Sequence, residues 1–255
     1  MATLKDSKPR SLKPLTSSAA PKITKSMKMI ASTKLARAQK AMDCGRIYGA
    51  ATQSKPLIVH GPFPSPAQNE NFAPLLIAVS SDRGLCGSIH SSISKLVKKS
   101  VKDTIREMPN SSPAVLVLGD KAKPQIAREA RSYITGHFNQ LGRVIPVFLD
   151  ASNIVDTLEK EFPIKPSVIK IFYNHFKSVI AFESSEITAL RADSLLSIDG
   201  IEKYEVDEEA LMNYGDFLFA SQLFWTLSEG HAAEMAAKRT AMENATKNAG
   251  KWSIL

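Results

Sequence analysis

The chain has little cysteine and no long apolar run, and these two features restrict the classes of protein to which it can belong. Of its 255 residues only Cys44 and Cys86 are cysteines, and their spacing matches neither a zinc site nor a redox motif. We expect two free thiols in a reducing compartment. No apolar run approaches the roughly 20 residues that a membrane-spanning helix needs. The sequence therefore predicts neither a disulfide scaffold nor a membrane span.

Acidic residues are scarce at the amino-terminal end. Residues 1–50 contain eleven Lys or Arg but only two acids, Asp6 and Asp43, so this segment carries +9 while the other 205 residues carry −1. Such a segment favours an acidic partner, which could be nucleic acid, anionic lipid or an acidic protein surface. Tyr48 is its only aromatic residue, so no stacking platform for bases accompanies the charge. A solvated charged face remains an open alternative.

Two helical stripes, one near each end, are the most regular pattern present. Residues at steps of three or four share one helix face in the first stripe, namely Met27, Ala31, Leu35, Ala38 and Met42. In the second stripe alanine recurs at 233, 237, 241, 245 and 249. Rows of small side chains let two helices approach closely over much of their length. Together the stripes predict a rod of two paired helices, although each alone could lie on a domain core.

The middle of the chain alternates strand and helix patterns. We predict strands at 75–80, 114–118 and 144–149, and helices at 89–105, 121–131 and from Asp150 or Ser152 to about 162. This alternation predicts a mostly parallel sheet, with 168–173 and 178–182 as an antiparallel pair at its edge. The segment from Asp207 to about Asn248 reads as one helix of roughly 60 Å, which must project from a compact domain.

The residues show no catalytic constellation. The turn at 82–88 lies between a strand and a helix, as phosphate-binding loops do, but it lacks their glycine patterns and is interpreted as structural. A helix amino terminus would favour a Cys86 thiolate, yet His90, His175 and His231 are isolated. Two alternatives stay open at this point. One is a free-standing α/β nucleotide-binding enzyme, and the other is a basic nucleic-acid-binding protein.

Three stretches closely resemble one family. They are ITKSMKMIASTKLARAQ at 23–39, SSDRGLCGSIH at 80–90 and EMAAKRTAMENATKNAG at 234–250, and they resemble the γ subunits of F-type ATP synthases. The start ATLK at 2–5, the segment 171–182 and YEVD at 204–207 are similar to the same family. The resemblance covers nearly the whole chain and favours the mitochondrial branch.

The resemblance implies a non-catalytic subunit, the central rotor stalk of a proton-transporting ATP synthase. Its terminal helices would form an antiparallel coiled coil inside the ring of α and β subunits, above a Rossmann-like α/β domain. Rotation of the membrane ring would thereby be coupled to ATP synthesis and hydrolysis on the β subunits. Further implied partners are the δ and ε stalk subunits and the c-ring, with no nucleic acid, cofactor or metal. The implied location is peripheral, on the matrix side of the mitochondrial inner membrane.

The resemblance also implies which residues meet partners. Those that would face the acidic loops of the β subunits are Met27, Lys28, Lys34, Arg37, Lys238 and Arg239. Tyr204 and Glu205 match the part of the family's foot that lies beside the polar loops of the membrane ring.

Two stretches depart from the family pattern. Residues 7–21 (SKPRSLKPLTSSAAP) replace a continuous basic helix, and their prolines must break it. Residues 251–255 (KWSIL) stand where the family's last helix continues, so we expect a shortened, frayed upper rod. The predicted domains are a basic tail at 1–21, an amino-terminal coiled-coil helix at 22–50, a linker at 51–74, a Rossmann-like domain at 75–203 and a carboxyl-terminal coiled-coil helix at 204–255.

Overall fold

Two long helices open and close the described part of the chain. The computed structural model describes residues 19–53, 74–108, 112–161, 166, 168–189, 205 and 207–252. Helix α1 spans Ala19–Gln53 and the last helix, α5, spans Glu208–Trp252. At about 1.5 Å per residue they are roughly 52 and 67 Å long. The predicted basic tail before residue 19, most of the predicted linker and Tyr204 lie outside the described residues.

Helices α1 and α5 pack against each other as an antiparallel pair. Near the upper end of the rod Lys28 pairs with Glu243 at 3.1 Å, and nearer the domain Arg46 pairs with Glu229 at 2.7 Å. Advancing along α1 therefore means moving back along α5. Four residues of the predicted first stripe, Ala31, Leu35, Ala38 and Met42, form the inner face of α1 and are at most 3% exposed, whereas Met27 is 37% exposed. The predicted antiparallel helical rod is confirmed.

A five-stranded sheet forms the domain at the base of the rod. Its strands are β1 Leu75–Val79, β2 Ala114–Leu118, β3 Ile134–Phe138, β4 Ile169–Ser178 and β5 Ala181–Ala189. They are ordered β3-β2-β1-β4-β5, and only the β4–β5 pair is antiparallel. The apolar runs of β1 and β2 are continuous because helices cover both faces of these central strands. The predicted mostly parallel sheet with an antiparallel edge pair is confirmed.

Three shorter α-helices lie in the described part of the α/β domain. They are α2 Ile89–Glu107, α3 Lys123–Ala130 and α4 Phe148–Glu161. Side chains of α2 and α3 pack on one face of the sheet, while α4 and the lower half of α5 pack on the other. The lower half of α5 is consequently buried on nearly every side. The rod is thus part of the domain core as well as a projection from it.

The third predicted strand is wrong. Residues 144–149 form a loop that runs into α4, and the strand lies earlier, at Ile134–Phe138. This edge strand is only half-buried and contains Gly136 and His137, so it gives no apolar run. Asp150 does not precede α4 as a cap but lies in its first turn, where it accepts a hydrogen bond from Val147 N at 2.9 Å. Val144 and Ile145 line the surface described below, whereas Phe148 packs against the core.

The start of α1 also differs from the prediction. The helix begins at Ala19, so Pro21 lies inside its first turn and does not stand ahead of it. A proline is tolerated there because the first backbone N–H groups of a helix have no intrahelical acceptor. Pro9 and Pro14 lie outside the described residues.

Candidate partner interface

A groove of about 590 Å³ lies where the rod meets two loops of the α/β domain. Helix α1 forms one wall, α5 forms the floor, and the β1–α2 turn and the β3–α4 loop close the other side. Its lining residues are Met27, Ile30, Ala31, Lys34, Arg37, Arg83, Leu85, Gly142, Arg143, Val144, Ile145, His231, Met235 and Lys238. We call this surface the basic groove.

Five cations converge on the basic groove from four separate segments. They are Lys34, Arg37, Arg83, Arg143 and Lys238, and no lining residue is acidic. Within the described part of the chain none of the five is in an ion pair. Like charges gathered on one surface repel one another and attract an acidic partner. The arrangement therefore fits an anionic ligand or protein surface.

Apolar side chains stand between these charges. Met27 is 37% exposed, Ile30 57%, Leu85 64% and Val144 74%. Leu85 adopts a φ of 62°, a left-handed conformation that is uncommon for a residue with a Cβ. Exposed apolar groups within a charged rim are typical of protein–protein contact surfaces. A partner that offers both acidic and apolar side chains fits this groove better than a bare anion does.

The structure brings four of the predicted interface residues together and leaves the others elsewhere. Met27, Lys34, Arg37 and Lys238 line the basic groove. Lys28 instead pairs with Glu243 across the rod, and Arg239 is half-buried on α5 but does not line the groove. Glu205 is exposed just before α5, whereas Tyr204 lies outside the described residues.

A buried carboxylate lies directly behind the groove. Glu234 of α5 is 3% exposed, and its Oε1 lies 3.6 Å from the Cys86 Sγ. Ser81 donates a second hydrogen bond to it. Burial raises the pKa of Glu234 to about 7, although Ser81, Cys86, Lys238 and Arg83 oppose that shift. Its proton therefore exchanges near neutral pH.

Neighbouring groups are held uncharged by the same burial. Desolvation, aided by the charge of Lys34, lowers the pKa of His231 to about 4. Burial and the neighbouring Glu234 raise the pKa of Cys86 to about 12. The expected Cys86 thiolate is thus wrong, because removal from water outweighs the helix amino terminus. His231 also leaves its Nδ1 without a hydrogen-bond partner in the described structure.

The rod fills the place where doubly wound sheets bind ligands. In such sheets the crevice lies beyond the carboxyl ends of the strands where the strand order reverses, which here is between β1 and β4. Only a cavity of about 80 Å³ remains at this position, and Leu227, Gly230, His231 and Glu234 of α5 help to line it. The Glu234 carboxylate lies near the amino end of α2, close to where a phosphate would bind. This packing supports the structural interpretation of the 82–88 turn and disfavours a nucleotide-binding enzyme.

Several residues of this region are absent from the predicted interface. Arg83 and Arg143 come from loops some 60 residues apart in sequence, and only folding places them beside α1. Val144 and Ile145, which follow Arg143, are β-branched and by themselves predict the start of a strand. Glu234 begins the stretch 234–250 that resembles the family, but nothing in its spacing predicts burial.

Within the described residues, no helix is both long and apolar enough to span a bilayer. No described cluster of His, Cys, Asp and Glu has the arrangement of a metal site.

Comparisons with known proteins agree on one family. The family model described as ATP synthase matches residues 16–253. The mitochondrial ATP synthase γ subunit of Pichia angusta is 35% identical over 240 residues, covering 92% of this chain and 85% of the relative. That of Drosophila melanogaster is 33% identical over 90% of this chain and 75% of its own length. That of Rattus norvegicus is 34% identical over 89% and 81%.

Solved structures share the fold. A chain from the Tetrahymena thermophila mitochondrial ATP synthase central stalk and c-ring superposes with a TM-score of 0.66 at 24% identity, covering 88% of this chain and 99% of that one. A chain of the Euglena gracilis mitochondrial ATP synthase superposes with a TM-score of 0.69 at 15% identity, covering 93% and 82%. At these identities the likeness supports the architecture alone.

The fold defines a stalk-shaped protein, in which an antiparallel helical rod is built into an α/β foot. The chain belongs to the γ-subunit family of ATP synthases. It is a non-catalytic central stalk subunit that couples rotation to nucleotide chemistry on other subunits, and neither alternative function is favoured. The same relatives are mitochondrial, which confirms the expected mitochondrial location, and a peripheral position on the matrix side of the inner membrane fits them.

Proposed function

We propose that the basic groove is the face on which this stalk meets the acidic loops of the β subunits. The observation that carries the proposal is the presence, on one surface beside the rod, of exposed apolar side chains and five cations that form no ion pair with other described residues. Each acidic loop would meet this face once per turn, because the groove lies on one side of the rod. The rod would thereby present a different surface to each β subunit and bias its conformation.

The groove is mechanically continuous with the foot. Its residues come from α1, α5 and two loops of the α/β domain, so a force applied at the rod is shared with the sheet. Lower down, Arg46 of α1 bonds both Glu229 of α5 and the Phe176 carbonyl oxygen of β4. Torque would pass between rod and sheet through these contacts without reliance on a single helix.

We further propose that the foot faces the membrane ring and the smaller stalk subunits. Glu205 is exposed ahead of α5, at the end of the rod opposite the Lys28–Glu243 pair. Asp207 caps α5 by accepting a hydrogen bond from Glu209 N, so this end of the helix is fixed in position. With Tyr204, Glu205 would supply the polar contact with the c-ring, and the δ and ε subunits would bind the adjoining foot.

The groove is tested by neutralising its cations. A variant with Lys34→Gln, Arg37→Gln and Lys238→Gln should bind a hexamer of mitochondrial α and β subunits more weakly than the parent chain. Each lost charge should cost up to about 1 kcal/mol at low salt, and the difference should shrink as salt rises. Sedimentation or fluorescence titration would measure the affinity. The assembled variant should also hydrolyse ATP with poorer coupling to proton movement.

A control variant distinguishes the effect of the groove cations on hexamer binding from the effect of the overall net charge. Lys95→Gln and Lys99→Gln remove two exposed cations of α2, outside the groove. They should leave hexamer binding nearly unchanged. Equal losses for each charge removed, three in the groove variant and two in the control, would show that net charge alone governs assembly. Preference of the parent chain for duplex DNA over the hexamer at moderate salt would contradict the assignment of the groove.

A further inference from the structure

We propose that the protonation state of Glu234 controls how strongly the basic groove attracts its acidic partner. The inference rests on the proposed function of the groove and adds a regulatory element to it. The relevant feature is an ionisable group placed behind a charged surface, sealed from solvent and in contact with the elements that form that surface.

The position of Glu234 gives it influence over the groove. It lies one helical turn before Lys238 and one turn after His231 on α5, and both of these residues line the groove. A Cβ added to Gly142 in the β3–α4 loop would lie 3.3 Å from the Glu234 Oε2. The Cys86 Sγ approaches Oε1 at 3.6 Å from the β1–α2 turn. The carboxylate thus lies beside both loops that close the groove opposite α1.

The groups that face Glu234 define its electrostatic surroundings. Arg83 of the β1–α2 turn and Lys238 of α5 supply positive charge, and Ser81 and Cys86 supply hydrogen bonds. The charged or titratable residues that share its small cavity are His90 of α2, Asp150 of α4 and His231 of α5. Burial lowers the pKa of both histidines, so they are predominantly neutral in this setting. Asp150 is engaged with the start of α4 through Val147 N.

Two charge states of the groove follow. When Glu234 is ionised, one negative charge lies behind the five cations and partly neutralises Arg83 and Lys238. When Glu234 is protonated, that charge disappears and the positive potential of the groove rises. Low dielectric around the buried carboxylate makes the change larger than that from a surface acid. Because its pKa is about 7, the exchange falls in the neutral pH range.

The experiment compares pH profiles of hexamer binding by the full chain and by Glu234→Gln. At low salt, we expect the parent chain to bind the mitochondrial α and β hexamer more weakly at about pH 8 than at about pH 6. The rise in its dissociation constant over this interval should be about threefold to tenfold larger than the rise for the variant. Titration of the hexamer's own groups affects both chains equally and cancels in the ratio. The excess should diminish at high salt.

Two accompanying measurements make the result decisive. Glu186→Gln removes an exposed carboxylate from β5, outside the groove, and should keep the parent profile. Circular dichroism and infrared titration of the full chain should show that Glu234→Gln is folded and lacks one carboxyl group that titrates near neutral pH. These controls also detect a variant that loses binding merely because it is misfolded.

The outcomes separate the inference from the proposed function. Identical pH profiles for the parent chain and Glu234→Gln, with binding still weakened by the groove neutralisations, would overturn the inference and leave the proposed groove intact. Binding that is indifferent to the groove cations would overturn both. If hexamer binding by the parent chain depends on pH more steeply than binding by Glu234→Gln, and Glu186→Gln behaves like the parent chain, regulation of the groove by Glu234 is established.

Discussion

The Arg46 guanidinium of α1 lies 2.7 Å from the carboxylate of Glu229 on α5, and that carboxylate is fully buried. Glu229 also accepts hydrogen bonds from Trp225 Nε1 at 2.7 Å and from Phe176 N at 3.2 Å. One acidic group thereby joins both helices of the rod to strand β4. The carboxylate raises the pKa of Arg46 through their hydrogen bond.

Removing the cation of this pair should destabilise the protein. Arg46→Met leaves Glu229 buried without its cationic hydrogen-bond partner, and we expect a loss of about 2–3 kcal/mol in the free energy of unfolding, less than for a wholly buried pair since Arg46 is partly exposed. Lys28→Met breaks the Lys28–Glu243 pair, whose side chains are both 35% exposed, and should cost much less because solvent screens exposed charges. Urea denaturation compares the two. Equal losses would show that Glu229 does not depend on Arg46.

Close helix contact at the lower rod should make one glycine irreplaceable. A Cβ at Gly49 would lie 2.3 Å from the Trp225 ring, so Gly49→Ala must push α1 and α5 apart and should cost about 1–3 kcal/mol. Gly230→Ala is the matched control within α5, because its Cβ would meet Val79 at an ordinary 3.5 Å. Better helix propensity should make it neutral or up to about 1 kcal/mol stabilising. Thermal unfolding that ranks the two variants the other way would contradict this packing.

Stability should depend on pH through Glu234 and His231 in opposite directions. Folded Glu234 keeps its proton up to a pKa of about 7 against an ordinary 4.5, so its contribution falls as pH rises through that interval. Folded His231 titrates near 4 against an ordinary 6.5, so its contribution rises as pH increases over that range. Each slope should be at most about 1.4 kcal/mol per pH unit, and the two largely cancel where they overlap.

Single substitutions should expose each slope. In Glu234→Gln, the free energy of unfolding should still rise with pH as His231 loses its proton, but it should no longer fall toward pH 7. The variant should therefore be more stable than the parent chain at neutral pH. In His231→Asn, the free energy of unfolding should only fall as pH rises, because Glu234 alone then contributes. Denaturation midpoints measured from acid to neutral pH provide the check. Parallel pH curves for all three chains would argue against the buried state of these groups.

A cation added at Met27 should alter the groove without greatly disturbing the rod. Met27 is 37% exposed and lines the groove, so Met27→Lys adds a sixth positive charge there. We expect tighter contact with acidic loops and lower coupling efficiency, with assembly less affected. Met29→Lys is the control, because Met29 is 67% exposed and does not line the groove. Unchanged proton pumping and hydrolysis by assembled Met27→Lys would count against the placement of Met27.

The sequence by itself determined the rod, the mostly parallel sheet and the family. The stripe from Ala31 to Met42 can be recognised in the sequence because helical periodicity is a local pattern. The strands β1 and β2 can be recognised because strands buried on both faces are uniformly apolar. Strand β3 was missed because an edge strand is half-buried and needs no such run. The charge of the amino-terminal helix also indicated an acidic partner.

Only the tertiary structure decided where that charge acts and what lies behind it. Arg83 and Arg143 join Lys34 because two loops fold against α1, which no local pattern encodes. Glu234 reads as one more polar residue of an amphipathic helix, yet it is buried because α5 fills the crevice of the sheet while packing on α1. Its shifted pKa follows from desolvation, and desolvation depends on contacts between segments that lie far apart in sequence.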